Sequence, residues 1–358
     1  MKAILMLEDG TAFSGEALGE PKEKIGEVIL NTAVVGYQEM MTDPVNAGKI
    51  LVLTYPLIGN YGTAPKFNES SQCWVSGLVI KEKSNIYSNW QAKSSLDEFV
   101  KQQGVFLLSG VDTRTLAVHL RDNGEMLGII SIDLDRDVLL GRIKAYREKS
   151  PEDYLKEISQ KKPLLRGNAK SKYKVAVLDL GVTESVLKQL EALGFSVIVL
   201  PYNTTAQEII KLKPRGLIIS NGPESSLALK EVVANIKELI GKIPILGIST
   251  GHQMLAAALG AKIVKMKLGH RGVNYPILNP VSSKAEITAQ NHGQVVDSVS
   301  LEKIRSVKIT GRNLNDHSVE EMKSAKYKII GVQYSPVSPG LNEVNGVFKK
   351  FMKLIKES

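Results

Sequence analysis

A single cysteine, Cys73, stands among 358 residues. One thiol cannot close an intramolecular disulfide, so the chain reads as suited to a reducing compartment, the cytoplasm. Aromatic residues are scarce too, at 6% with two tryptophans. Positive charge is in excess, 46 Lys and Arg against 37 Asp and Glu, for a net +9. The basic residues are scattered and rarely sit beside aromatics. That pattern describes a solvated basic surface, and no nucleic acid is expected as a partner. No run of about 18 apolar residues occurs, so no membrane-spanning helix is expected. The opening MKAILMLEDGTAF has one Lys and meets charge at Glu8, which suits a first strand better than a signal peptide. One cysteine and five dispersed histidines give no metal-ligand spacing. No G-x-x-x-x-G-K-[ST] string is present, so no phosphate loop or cofactor is expected in this chain.

The 43% of hydrophobic residues suffices for sizeable cores, and the length suggests about two domains. Short β-rich runs such as Ala3 to Leu7 and Lys49 to Thr54, punctuated by turns such as Asp9-Gly10, fill the first 145 residues or so. A helical stretch near Val138 to Ala145 closes this part. A polar, Lys-rich passage with Pro151 and Pro163 then reads as a linker by composition. From Tyr173 the chain alternates. Lys174 to Leu178, Phe195 to Leu200, Gly216 to Ile219 and Ile243 to Ile248 read as buried strands. Segments near Glu184 to Leu193, Ala206 to Leu212 and Ala228 to Ile240 read as helices between them. Such alternation predicts an α/β fold with an open, mainly parallel sheet flanked by helices, and ligands at the carboxyl ends of its strands.

Two loops sit at such ends: Ser220-Asn221-Gly222-Pro223-Glu224 and Ser249-Thr250-Gly251. The second lies in Gly247-Ile248-Ser249-Thr250-Gly251, which fits G-x-S-x-G, a strand–turn–helix elbow displaying one nucleophilic side chain. The bland alternative is a ligand-free turn. A serine needs a neighbouring base. The base should follow the last strand, Lys328 to Tyr334, but Ser335-Pro336-Val337-Ser338-Pro339-Gly340 contains no His, Asp or Glu. His252 opens the helix after the elbow and reads as a packing or capping residue. His292 reads as a structural turn residue, and His317, beside Asp316, as solvated.

Longer strings carry a family resemblance. Gly36-Tyr37-Gln38-Glu39 through Thr42-Asp43-Pro44, Leu53 to Gly62, and Gly110-Val111-Asp112-Thr113-Arg114 with His119-Leu120-Arg121-Asp122 are three of them. Over nearly its whole length the chain resembles the small subunit of carbamoyl phosphate synthetase. Its second half resembles a class I glutamine amidotransferase through Ser220 to Pro223, Gly247 to Gln253, Gly269-His270-Arg271-Gly272 and Gln290-Asn291-His292-Gly293. The resemblance implies a small-chain domain at 1–150 with a β-rich core, a linker at 151–172 and an amidotransferase-like domain at 173–358. It also implies a large-subunit partner that holds ATP and Mg and makes carbamoyl phosphate for arginine or pyrimidine pathways. In that family an elbow Cys attacks the glutamine side-chain amide, a His in an H-P-E string activates it, and the Glu orients the His.

This chain departs at each of those positions, which are Ser249, Ser335 and Val337. A Cys thiol ionises near pH 8.5, whereas a serine hydroxyl is far less acidic. The glutamine-binding positions implied by the resemblance are Gly222, Thr250, Gln253, Asn291, Gly293 and Gln294. Here too there is drift. Glu224 replaces a glycine, Val45 a serine, Thr250 an apolar residue and Gln294 an aromatic. A side chain at Glu224 is expected to fill space and bring negative charge to the substrate position; the alternative is that it points to solvent and glutamine still binds. The expectation is therefore a degenerate glutaminase centre in a structural or regulatory subunit. A residual glutamine-hydrolysing subunit, a glutamine sensor or interaction module, and a GxSxG serine hydrolase stay open beside it.

Overall fold

The computed structural model describes residues 1–19, 21–149, 153–280, 283–340 and 343–357. The chain divides into two compact units. The first comprises Met1–Glu152 with Lys267–Arg271, the second Asp153–Met266 with Gly272–Ser358.

The first unit is built on β1 (Lys2–Leu7), β2 (Ala12–Gly19), β3 (Lys24–Asn31), β4 (Ile50–Leu53), β5 (Leu57–Ile58), β6 (Gly77–Val79), β7 (Glu82–Lys83), β8 (Phe106–Ser109) and β9 (Met126–Ser131). Seven of these close a barrel in the order β1-β2-β8-β6-β4-β3-β9, and β5 pairs separately with β7. Successive side chains of a strand point to opposite faces, which sorts each strand between two cores. Ala3, Leu5 and Leu7 join Val28, Val52, Phe106 and Leu108. Ile4 and Met6 instead pack with Ile129 and with Leu139 and Ile143 of the helix Arg136–Glu148. Burial on both faces explains the near-continuous apolar runs of β1, β4 and β8. The helix starts earlier than its apolar pattern suggests because the Asp135 carboxylate caps it, accepting from the Asp137 and Val138 amides.

The second unit carries β10 (Leu164–Gly167), β11 (Lys174–Asp179), β12 (Ser196–Pro201), β13 (Gly216–Ile219), β14 (Ile245–Ile248), β15 (Ile263–Asn279), β16 (Lys284–Val296), β17 (Lys308–Asn313), β18 (Val319–Ser324) and β19 (Ile329–Val332). They form one sheet in the order β10-β12-β11-β13-β14-β19-β18-β17-β15-β16. The stretch β12-β11-β13-β14-β19 is parallel. Both faces are covered. Ala176 and Leu178 pack beneath the helices Ala206–Lys211, Leu229–Leu239 and Thr250–Leu259, while Val175 and Val177 pack against Glu184–Ala192 and Gly346–Lys356. The mixed α/β fold with a β-rich first part is thus the one expected.

Two expectations need correction. The first two residues of the expected 151–172 linker lie outside the described residues, but the rest is built into the second unit. It forms a short helix, Tyr154–Ile158, and β10, which pairs antiparallel with β12. Arg166 of β10 is anchored by Glu184 and Glu191, each at 2.7 Å. A four-residue edge strand set in a Lys-rich passage has the composition of a linker, and only its partner strand reveals it. Likewise Gln290 to Gly293, read as a turn around His292, lies inside β16.

Sheet order does the work of assembling a site. Because β13, β14 and β19 are consecutive neighbours, the segments after them, 220–224, 249–253 and 335–340, emerge side by side at the strands' carboxyl ends.

Candidate functional site

The elbow is formed as its sequence predicts. Ser249 follows β14 with φ 52° and ψ −113°, and the helix Thr250–Leu259 starts at once. Its amide donates to Val332 O of β19 at 2.8 Å, and its carbonyl accepts from the Gln253 amide at 3.1 Å. The flanking glycine is required by close approach. A Cβ on Gly251 would lie 2.1 Å from Ile219 O, so the helix could not pack on β13 with any side chain there. Positive φ in a non-glycine residue costs of order 1–3 kcal/mol. Ser249 Oγ makes no hydrogen bond among the described residues, so nothing local repays that strain. Ser249→Gly is therefore expected to stabilise the chain by about 1 kcal/mol after the larger unfolded-state entropy of glycine is subtracted, as a denaturation midpoint shift.

The loop after β19 is well fixed but chemically bare. The Ser335 amide donates to Ala289 O at 2.9 Å. Gln189 Nε2 donates to Pro336 O at 2.8 Å, and Asn345 Nδ2 to Val337 O at 2.9 Å. The Val337 side chain is 48% exposed. A hydroxyl and an isopropyl group can neither take a proton from Ser249 nor orient a group that could.

The histidines of this unit do not fill the gap. His252 is fully buried, its Nδ1 so near Gly331 that a Cβ there would sit 2.5 Å away. Burial pulls its imidazole down to about 3. The ring is thus a packed, neutral group, as its position in the helix suggests. The consequence for stability has a definite sign. Between about pH 3 and pH 6.5 the unfolded chain binds a proton at His252 that the folded chain refuses. The stability is complete above pH 6.5 and is lost on acidification by about 1.4 kcal/mol per unit. Denaturation of the native chain and of His252→Asn at pH 7 and pH 5 should show about 2 kcal/mol more acid loss in the native chain. His292 has both ring nitrogens engaged, Nδ1 with Gln294 O at 3.0 Å and Nε2 with Gln290 Oε1 at 3.1 Å. His317 is exposed, as expected.

The polar groups beside the elbow converge on Glu224. Its Oε2 accepts from the Gly293 amide at 2.7 Å. Its Oε1 accepts from the Gln294 amide at 3.1 Å and from Gln253 Nε2 at 2.7 Å. Gln294 Nε2 closes the ring by donating to Glu224 O at 3.0 Å. Gln253 Nε2 also reaches Gln294 O at 2.9 Å. Thr250 Oγ1 donates to Gly222 O at 2.5 Å, and a Cβ on Gly222 would fall 1.8 Å from Leu180 O. Glu224 therefore turns inward, and the solvent-pointing alternative is not the conformation adopted. Of the expected binding positions, Gly222, Thr250, Gln253, Gly293 and Gln294 come together here. Asn291 lies in the same strand but does not bond to Glu224. Gln333, buried with Oε1 3.4 Å from Gln253 Nε2, was not anticipated. Its signal was there: one amide in the apolar run Ile329 to Tyr334.

Cys73 belongs to the first unit, where burial pushes its thiol up to about 12. No helix among the described residues is long and apolar enough to cross a membrane.

Comparison with known proteins agrees with the two-part organisation. Residues 5–130 match the family described as carbamoyl-phosphate synthase small chain, CPSase domain, and residues 176–354 match glutamine amidotransferase class-I. The carbamoyl phosphate synthase small chain of Syntrophotalea carbinolica is 40% identical over 373 residues, spanning 100% of this chain and 99% of that one. The carbamoyl phosphate synthase pyrimidine-specific small chain of Bacillus subtilis is 38% identical over 99% of this chain and 96% of that one. Among solved structures, a glutamine amidotransferase of Thermotoga maritima covers 51% of this chain and 82% of its own, at 18% identity and a TM-score of 0.37. By its near-complete overlap with such relatives, the chain belongs to the carbamoyl phosphate synthase small-chain family.

Proposed function

We propose that this chain is a carbamoyl phosphate synthase small subunit without glutaminase chemistry of its own. It would dock on a large subunit that carries ATP and Mg and draws on free ammonia, and serve it as a structural or regulatory partner in the cytoplasm. The pathway it serves would be that of arginine or of pyrimidines.

The observation that carries this reading is the set of groups offered by three adjacent loops. They present Ser249 on a strained elbow, Ser335 and Val337 where a base and its orienter would stand, and the Glu224 carboxylate on the donors beside them. A serine hydroxyl with no base is a poor nucleophile. Loss of a nucleophile–base unit removes on the order of 10⁶ in rate in a well-characterised triad enzyme, which is about 8 kcal/mol of transition-state stabilisation. The oxyanion donors of a helix start and residual binding cannot replace that.

The direct test is ammonia release from glutamine by the purified chain, alongside Ser249→Ala. Both are expected to stay at the uncatalysed background. Release that Ser249→Ala abolishes would sink the reading. The serine hydrolase alternative has its own probe, since covalent labelling of Ser249 by a fluorophosphonate would revive it.

A further inference from the structure

Glu224 has a role that its neighbours define. Three N–H donors, the Gly293 and Gln294 amides and Gln253 Nε2, converge on its two carboxylate oxygens at 2.7 to 3.1 Å. Gln294 Nε2 pins the backbone of the same residue at 3.0 Å. Two of the donors are backbone amides, so their positions are set by the main chain and not by a flexible side chain. A site with fixed donors of this number fits a carboxylate, because each oxygen can accept two bonds and the charge strengthens all of them.

We propose that Glu224 is a built-in occupant of a carboxylate cradle, and that its side chain denies this cradle to any free amino acid or small carboxylate. The proposal deepens the reading of a non-hydrolysing subunit and rests on it: the chain has a substrate position that is closed as well as one that is chemically inert. The chemical class of ligand follows from the donors. Once the Glu224 side chain is cut back, the cradle takes a small monocarboxylate, such as acetate or the α-carboxylate of a free amino acid. The ligand is held by the same three N–H groups.

The test uses the full chain and acetate as the probe, with chloride at equal ionic strength as the control. Amide exchange at Gly293 and Gln294 is followed in the native chain and in Glu224→Ala. In the native chain both amides are expected to be protected and indifferent to acetate. In Glu224→Ala their exchange is expected to rise about tenfold or more, and acetate to restore protection saturably. The melting temperature should climb with acetate in the variant alone, as mass action requires. Equal acetate responses in the two chains, including no response in either, would overturn the proposal.

Should Glu224→Ala not fold, Glu224→Gln supplies the answer. Its carboxamide has the same size but one acceptor oxygen, so at least one of the two amides must exchange faster. Unchanged exchange at both would contradict the occupancy. These outcomes are separate from those of catalysis. Ammonia release by the native chain would defeat the non-hydrolysing reading, whereas absence of acetate rescue defeats only the occupied cradle.

Discussion

A chain carrying Ser249→Cys, Ser335→His, Val337→Glu and Glu224→Gly is expected to hydrolyse glutamine at least about 10³-fold faster than the native chain. The same three loop changes with Glu224 retained should gain less than about tenfold. The frame for this chemistry persists. The elbow holds position 249 at φ 52°, and the Ser335 loop is pinned to Ala289 and Gln189 beside it. A thiol near pKa 8.5 needs a far smaller shift to ionise than a hydroxyl, and an adjacent imidazole supplies it. Full recovery of about 10⁶ is not expected, because Val45, Thr250 and Gln294 are left unchanged and an installed constellation must be held within about 0.5 Å to be fully productive. Glycine at 224 removes the carboxylate from the Gly293, Gln294 and Gln253 donors. Steady-state ammonia release by the triple and quadruple variants separates the two contributions. Equal rates in both would show that Glu224 is no obstacle.

The second large effect concerns stability of the first unit. Arg271 and Glu125 pair inside it with side chains only 1% exposed each, the guanidinium Nη1 on Glu125 Oε1. The Gly269 amide adds a bond to the same oxygen at 3.3 Å, and the Glu125 amide donates to Lys267 O at 2.9 Å. This pair and these bonds join the outlying segment Lys267–Arg271 to the first unit. Burial opposes the charge on Glu125 and raises its pKa, while the nearby guanidinium draws it back. Removing the guanidinium leaves the Glu125 carboxylate buried without its ion-pair partner, and breaking a buried pair in this way costs about 3–5 kcal/mol. Arg271→Ala should therefore lower the denaturation free energy of this unit by that amount, a large part of a typical domain's 5–15 kcal/mol. The double change Glu125→Leu with Arg271→Met should recover most of it, because apolar side chains of similar volume need no compensation. A loss below 1 kcal/mol in Arg271→Ala would mean that the pair does not hold the segment.

The fold was legible where one strand or helix declares itself by its own residues. Val175, Val177, Ile218 and Leu246 sit in apolar runs that only a strand buried on both faces explains, and the alternation with helices then dictates a parallel sheet. What stayed hidden depends on partners distant in the chain. Strand β10 is four residues long and exposes Leu164 at 39% and Leu165 at 65%, so only its ladder with β12 marks it as a strand. The polar string Gln290 to Gly293 looks like a turn, yet it runs within β16, where His292 is satisfied by Gln290 and Gln294. The site divides in the same way. That Ser249, Ser335 and Val337 carry no base is a matter of residue identity and could be read directly. That Glu224 turns inward could not, since an acidic side chain after Pro223 is equally compatible with solvent. The deciding donors come from a strand some 70 positions further along.

The central claim is that this subunit contributes no ammonia. It is tested by combining the chain with a carbamoyl phosphate synthase large subunit and measuring carbamoyl phosphate formation with glutamine against ammonium as nitrogen source. The account predicts synthesis with ammonium, and with glutamine a rate no higher than trace ammonium sustains, unchanged by Ser249→Ala. Glutamine-supported synthesis that matches the ammonium rate and disappears in Ser249→Ala would contradict it.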